Sequence, residues 1–172
     1  MFKIVRKEVL NSQVKLLEIE APYVARKAEP GQFIMLRVNE EGERIPLTIA
    51  DYDREKGTVS IIFQEVGATT KILGSLNAGD SLLDFVGPLG KPSELEGIKK
   101  AAVIGGGLGS AIAYPQAKKL SRMGSEVHVI TGFRNKDLII LEEQMSEVSD
   151  KLVVTTDDGS NGNKGLVTDG LR

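Results

Sequence analysis

The chain has 172 residues, 41% of them hydrophobic and 27% charged, with a net charge of −2; this is the composition of a globular protein of one domain or two small ones. That near-neutral balance, with 5% aromatic residues and no tryptophan, argues against the basic face of a nucleic-acid binder and the stacking platform of a single-strand binder. Cysteine is absent and His128 is the one histidine, which excludes disulfides, thiolate nucleophiles, iron–sulfur ligation by this chain and any convincing metal site. Apolar runs such as 138–141 are far too short to span a bilayer, and charges interrupt the first eight residues. A cytoplasmic protein with no membrane span is expected.

Residues 1 to about 95 read as strand after strand, with alternating apolar positions and turn residues between. Strands are expected over 2–10 and 14–21, separated by Asn11-Ser12, and over 32–38 after Pro30-Gly31. A charged turn at 39–44 leads into 45–50, and a turn at 53–57 into 58–64. The one helical stretch expected here is 69–76, closed by Asn77-Ala78-Gly79, before a last strand over 81–86 ended by Gly87-Pro88-Leu89-Gly90. Many short strands with tight connections predict a partly closed antiparallel barrel.

From Ile98 the pattern becomes strand (101–104), helix (111–123), strand (126–131), helix (137–148), strand (151–155). Such a series implies a parallel sheet with right-handed crossovers. Pro115 predicts a loose first turn, with regular helix from about Tyr114. The composition shift over 91–99 divides the chain into domains 1–96 and 97–172. After a loop at 157–165 the sequence stops at an incipient helix over 166–172. Three parallel strands with an uncovered edge are unusual, so the chain is expected to be part of a longer polypeptide.

Several segments carry candidate chemistry, each beside a plainer reading. Gly105-Gly106-Gly107-Leu108-Gly109 joins an apolar run, expected to be a buried strand, to a helix. Glycine permits a tight turn and close phosphate approach, and the helix start offers free N–H groups. The alternative is a packing turn, since Ser110 replaces the third glycine of the dinucleotide fingerprint. Arg44, Pro46, Leu47 and Thr48 offer a cation, a rigid ledge and a hydroxyl to a flavin, or simply form an edge strand. Gly67, Thr69 and Thr70 open the helix at 69–76, either as an anion site or with Thr69 as an ordinary N-cap. Gln64 and Phe63 could line the same pocket, although Phe63 also reads as core. Arg134 ends the second parallel strand, where dinucleotide folds meet the adenosine ribose; an arginine there accommodates a 2′-phosphate and a carboxylate such as Asp137 favours NAD, so the signal is mixed, the alternative being that Arg134 pairs with Asp137 or Glu142. Asp157 and Asp158 follow the third strand, where ligands or plain turns occur. His128 reads as a packing or solvent-facing strand residue. No Gly-Lys-Ser/Thr follows the glycines, which counts against a P-loop hydrolase.

The ordered set of segments 43–50, 63–70, 87–90, 105–109 and 156–160 resembles the ferredoxin–NADP reductase superfamily. Within it, the set looks closest to the electron-transfer subunits of dihydroorotate dehydrogenase and the small subunits of NADH-dependent ferredoxin:NADP oxidoreductases. The resemblance implies an antiparallel Greek-key FAD-binding barrel followed by a truncated Rossmann-like parallel α/β nucleotide-binding domain. It implies that Pro46, Leu47 and Thr48 form the flavin-binding strand, with Thr48 facing N5 as the catalytic position. Ile62, Phe63 and Gln64 would flank the flavin, Gly67, Thr69 and Thr70 would hold its pyrophosphate, and Gly105 to Gly109 would take that of NAD(P)H. Three departures stand out. The family arginine falls at Ile45, so Arg44 must reach from one position earlier; Ile112 stands where many relatives have proline; and the cysteine-ligated 2Fe-2S segment of full-length relatives is absent.

The resemblance therefore implies a flavoprotein oxidoreductase subunit. It would pass a hydride between NAD(P)H and FAD and relay electrons to an iron–sulfur centre or a larger catalytic partner subunit. The rival is a non-catalytic docking or relay module that binds flavin without turning over NAD(P)H.

Overall fold

In the computed structural model, which describes residues 1–172, the chain divides into two units, Met1–Ser93 and Glu94–Arg172. In the first unit, alternation of apolar and polar residues puts one face of each strand inward. The strands β1 (Phe2–Val9), β2 (Val14–Glu20), β3 (Phe33–Arg37), β4 (Ile45–Asp53), β5 (Thr58–Gln64), β6 (Ser81–Leu82) and β7 (Asp84–Leu89) form one sheet. Its order is β6-β1-β2-β5-β4-β3-β7, so β3-β4-β5 is a meander with β2 laid beside β5, a Greek key. The edge strands β6 and β7 are separated only by Leu83, whose N–H reaches Arg37 C=O (3.0 Å) and Val38 C=O (3.2 Å). That junction nearly closes the sheet into a barrel, around a core that includes Ile4, Leu17, Ile19, Ile34, Leu36, Ile61 and Phe63.

Two features of this unit depart from the sequence reading. The strand expected over 81–86 is two strands, and the second continues through the Gly87-Pro88 cis peptide to Leu89. A second helix, α1 (Pro22–Lys27), precedes β3, with Pro22 in its first turn and Val24 and Ala25 buried. The expected helix is present as α2 (Ala68–Ser75). Its Leu73 is fully buried in the barrel core.

The second unit is a parallel sheet of β8 (Lys100–Gly106), β9 (Glu126–Phe133) and β10 (Lys151–Thr156), ordered β10-β9-β8. Helix α3 (Gly109–Arg122) connects β8 to β9 and carries Pro115 in its interior. The start expected near Tyr114 is therefore corrected: the helix begins at Gly109. Pro115 is buried against the unit's interior, and apolar packing outweighs the missing amide donor. The helix expected over 137–148 is also corrected. It is a 3-10 turn (Lys136–Leu138) and then α4 (Glu142–Glu147), separated at Leu141 in the left-handed region (φ 59°). Ile140 and Leu141 are buried, and turning them inward breaks the helix between the two pieces. The incipient helix over 166–172 is a single 3-10 turn (Asp169–Leu171).

Candidate functional site

On β4, Ile45, Leu47 and Ile49 pack on the barrel core, so alternation leaves Pro46 and Thr48 on the outer face. On β5 the core takes Ile61 and Phe63, which leaves Ile62 and Gln64 on the other face, where Ile62 is still 7% exposed. The register Ile49↔Ile61 runs the Thr48 end of β4 alongside the Ile62–Gln64 end of β5. Pro46, Thr48, Ile62 and Gln64 thus gather on one face. Leu47 and Phe63 point inward, Phe63 with 1% exposure, and offer that face only their backbone. Gln64 is held by its Nε2 donating to Gln13 Oε1 (2.6 Å).

Arg44 stands just before β4 and donates from Nη2 to Asp84 Oδ2 on β7 (3.0 Å). Ile45, where the resemblance leads one to expect an arginine, packs on the core. At this strand entrance the cation is Arg44, with Asp84 holding one edge of its guanidinium. Asp84 carried no signal in the sequence, because only the pairing of β7 with β3 brings it to Arg44.

The loop from β5 to α2 is organised by Thr70. Its hydroxyl accepts from Val66 N–H and Gly67 N–H (both 3.0 Å) and donates to Gly67 C=O (3.1 Å). Gly67, not Thr69, is the N-cap. With its hydroxyl occupied, Thr70 shapes the loop and leaves the Ala68 and Thr69 amides to open the first turn. They lie ahead of the first helical bond, from Lys71 N–H to Gly67 C=O (3.0 Å). A Cβ at Gly67 would meet nothing within 4 Å. An exposed turn with open backbone and free amides fits a phosphate.

In the second unit the Gly105–Gly109 segment divides into two roles. A Cβ on Gly105 would lie 2.8 Å from Ser110 Cα and 3.0 Å from Ser110 N, so Gly105 lets α3 approach β8. Gly106, Gly107 and Gly109 would meet nothing within 4 Å, and Gly107 has φ +53°. Gly107 N–H donates to Gly132 C=O (2.8 Å), while Ser110 N–H and Ala111 N–H close onto Gly107 and Leu108 carbonyls (3.1 and 3.0 Å). That leaves the Leu108 and Gly109 amides at the helix start outside these bonds. Gly132 was missed in the sequence; an isolated glycine within a strand is the mark of a close backbone approach.

The remaining residues of this unit converge on the same end of the sheet. Asp157 N–H reaches Phe133 C=O (3.0 Å) and Asp158 N–H reaches Arg134 C=O (3.3 Å), which ties the loop after β10 to the end of β9. Arg134 is exposed, and its guanidinium pairs with neither Asp137 nor Glu142. Hydrogen bonds from Ser160 hold the Asp158 carboxyl below the usual carboxylate range. Asn161 and Asn163 both donate to Val154 C=O (3.0 Å) and fold the loop back on its strand. His128 lies apart, with Nε2 2.9 Å from Glu126 Oε1. No group of three or more His, Asp or Glu side chains is placed to hold a metal ion, and no helix is long and apolar enough to cross a membrane.

These features belong to a recognisable class: residues 1–93 match the oxidoreductase FAD-binding domain family, and the chain belongs to it. Among particular proteins, it is 44% identical over 169 residues to the dihydroorotate dehydrogenase B (NAD(+)) electron transfer subunit homolog of Thermotoga maritima, covering 98% of this chain and 60% of that protein. It is 43% identical over 145 residues to the corresponding subunit of Streptococcus mutans, covering 81% and 55%. In structure it is similar to a chain of an NADH-dependent reduced ferredoxin–NADP oxidoreductase studied for flavin-based electron bifurcation. There the TM-score is 0.92 at 43% identity, over 99% of this chain and 62% of the other. This chain thus spans about 60% of the length of such relatives.

Proposed function

We propose that the chain is the FAD- and nicotinamide-binding part of an electron-transfer subunit. The first unit would hold FAD, with its isoalloxazine on the Pro46, Thr48 and Ile62 face and its pyrophosphate at Gly67 to Thr70. The second would hold NAD(P)H at Gly106 to Gly109, with Arg134, Asp157 and Asp158 at the adenosine end. FAD, when bound, supplies hydride acceptance and one-electron release. The chain's own residues position and neutralise: Thr48 presents its hydroxyl to the flavin edge, Arg44 sets a cation near the phosphates, and both glycine turns direct free amides at anions. Hydride transfer needs no side-chain acid or base, in keeping with units that offer amides, hydroxyls and cations rather than an acid–base pair.

The observation that carries this reading is the pair of open glycine turns, each at a helix start and each lacking any atom within 4 Å of the missing Cβ at Gly67, Gly106, Gly107 and Gly109. The electrons would pass to an iron–sulfur centre or a larger partner subunit, since this chain has no cysteine to hold a cluster. An anaerobic titration of the FAD-loaded chain with NADH and then NADPH tests the proposal. Bleaching of the flavin by either nucleotide is expected. Tightly held flavin that neither nucleotide bleaches would support the docking or relay role instead.

A further inference from the structure

We infer that Glu65 is a positioning residue for the anion-binding loop before α2, acting through Gly74 and Lys15. The inference rests on the reading of that loop as the FAD phosphate site. Glu65 is the last residue before the loop, and its N–H donates to Gln13 C=O (2.9 Å). Its side chain folds over to the far end of α2. A Cβ on Gly74 would lie 1.8 Å from Glu65 Oε1 and 2.7 Å from its Cδ, so the carboxylate rests against the bare α-carbon of Gly74. The other oxygen, Oε2, is 2.8 Å from Lys15 Nζ on β2, with both side chains mostly buried. Lys7 Nζ on β1 also reaches this turn, donating to Gly74 C=O (2.6 Å).

A helix of eight residues is too short to be stable on its own in water and depends on its packing. The contacts at its last turn therefore set where its first turn points. Glu65 closes a circuit: its backbone enters the loop, the loop runs into α2, and Gly74 near the end of α2 returns to the Glu65 side chain. This also accounts for a glycine inside a helix. Gly74 is not among the positive-φ glycines, so no backbone conformation demands it, and glycine ordinarily weakens a helix relative to alanine. Room for the Glu65 carboxylate is what Gly74 provides. Lys15 fixes that carboxylate by a charge-assisted bond.

Gly74→Ala tests the arrangement, because in most helices it would stabilise. Here it is expected to displace the Glu65 carboxylate, speed amide exchange across residues 66–70 without added FAD, and weaken FAD binding about tenfold. Glu65→Ala and Glu65→Gln are expected to do the same. In the double variant Gly74→Ala/Glu65→Ala, the new methyl meets empty space, so it should bind FAD no more weakly than Glu65→Ala alone. Wild-type exchange and wild-type FAD affinity in Gly74→Ala and Glu65→Gln would overturn the inference, as would losses that multiply in the double variant. Exchange that speeds as expected in a chain that never binds FAD would uphold the positioning and overturn only the cofactor reading.

Discussion

The turn before α2 is held by a side chain, whereas the turn before α3 is held by backbone packed on backbone. At the first, one hydroxyl of Thr70 gathers two amides and a carbonyl. At the second, Gly107 N–H meets Gly132 C=O, and the bare α-carbon of Gly105 faces Ser110. The two solutions present the same product, open amides at a helix start, with different tolerance to substitution. A hydroxyl-held loop can be rescued by another hydroxyl. A backbone-held turn cannot be rescued at Gly105, yet at Gly106 it has room that only a ligand would contest.

The largest effect expected from this difference is at Gly105. Gly105→Val forces side-chain atoms into the Ser110 backbone and should destabilise the second unit by about 3 kcal/mol, read as a lowered thermal midpoint. Gly106→Ala should leave that midpoint unchanged while weakening NAD(P)H binding. Equal thermal losses at both positions would erase the distinction drawn between them. At the other turn, Thr70→Val removes the shared hydroxyl and should cost about 1–2 kcal/mol, with weaker FAD binding. Thr70→Ser should recover both, and failure of that rescue would point to the methyl group instead. Arg44→Gln should weaken FAD about threefold at low salt, with less effect at high salt, as for an exposed charge. Salt-independent weakening would mean that the guanidinium acts by packing.

The smallest effect concerns acid stability. Burial opposes ionisation of Glu18, but hydrogen bonds from Thr58 and Arg6 and the charges of Arg6 and Lys56 outweigh it, holding the carboxyl below its ordinary value. A depressed folded-state value contributes stability that is present above the unfolded carboxylate range and lost as pH falls through the folded value. Thr58→Val should therefore lose stability near neutral pH and show a shallower decline on acidification. An acid limb parallel to wild type would remove Glu18 from the account.

Much of the barrel was legible because alternation and turn residues are local signals. Residues 58–64 and the start at Val14 appear as strands in those places. What escaped the sequence depends on distant partners. Helix α1 had Pro22 in its first turn and Arg26 and Lys27 in its last as start and stop signals, but six residues gave too short a period to read. The break at Leu141 follows from burying Ile140 and Leu141, and the early start of α3 from burying Pro115. At the site, the glycines and Thr70 were visible as types in order. Their division of labour was not: that Gly105 packs while Gly106 stays open, or that the Thr70 hydroxyl braces the loop while Thr69 does not, is set by neighbours such as Ser110 and Val66. Asp84, Gly132 and Glu65 matter through contacts across the fold that no local pattern announces.

The central claim is that the first unit holds FAD at the Gly67–Thr70 turn, and flavin retention tests it most directly. The chain, mixed with FAD and passed through gel filtration, should elute with visible flavin absorbance at one flavin per chain, and Thr70→Val should elute with less. A colourless wild-type peak, with all flavin in the small-molecule fraction, would contradict the account.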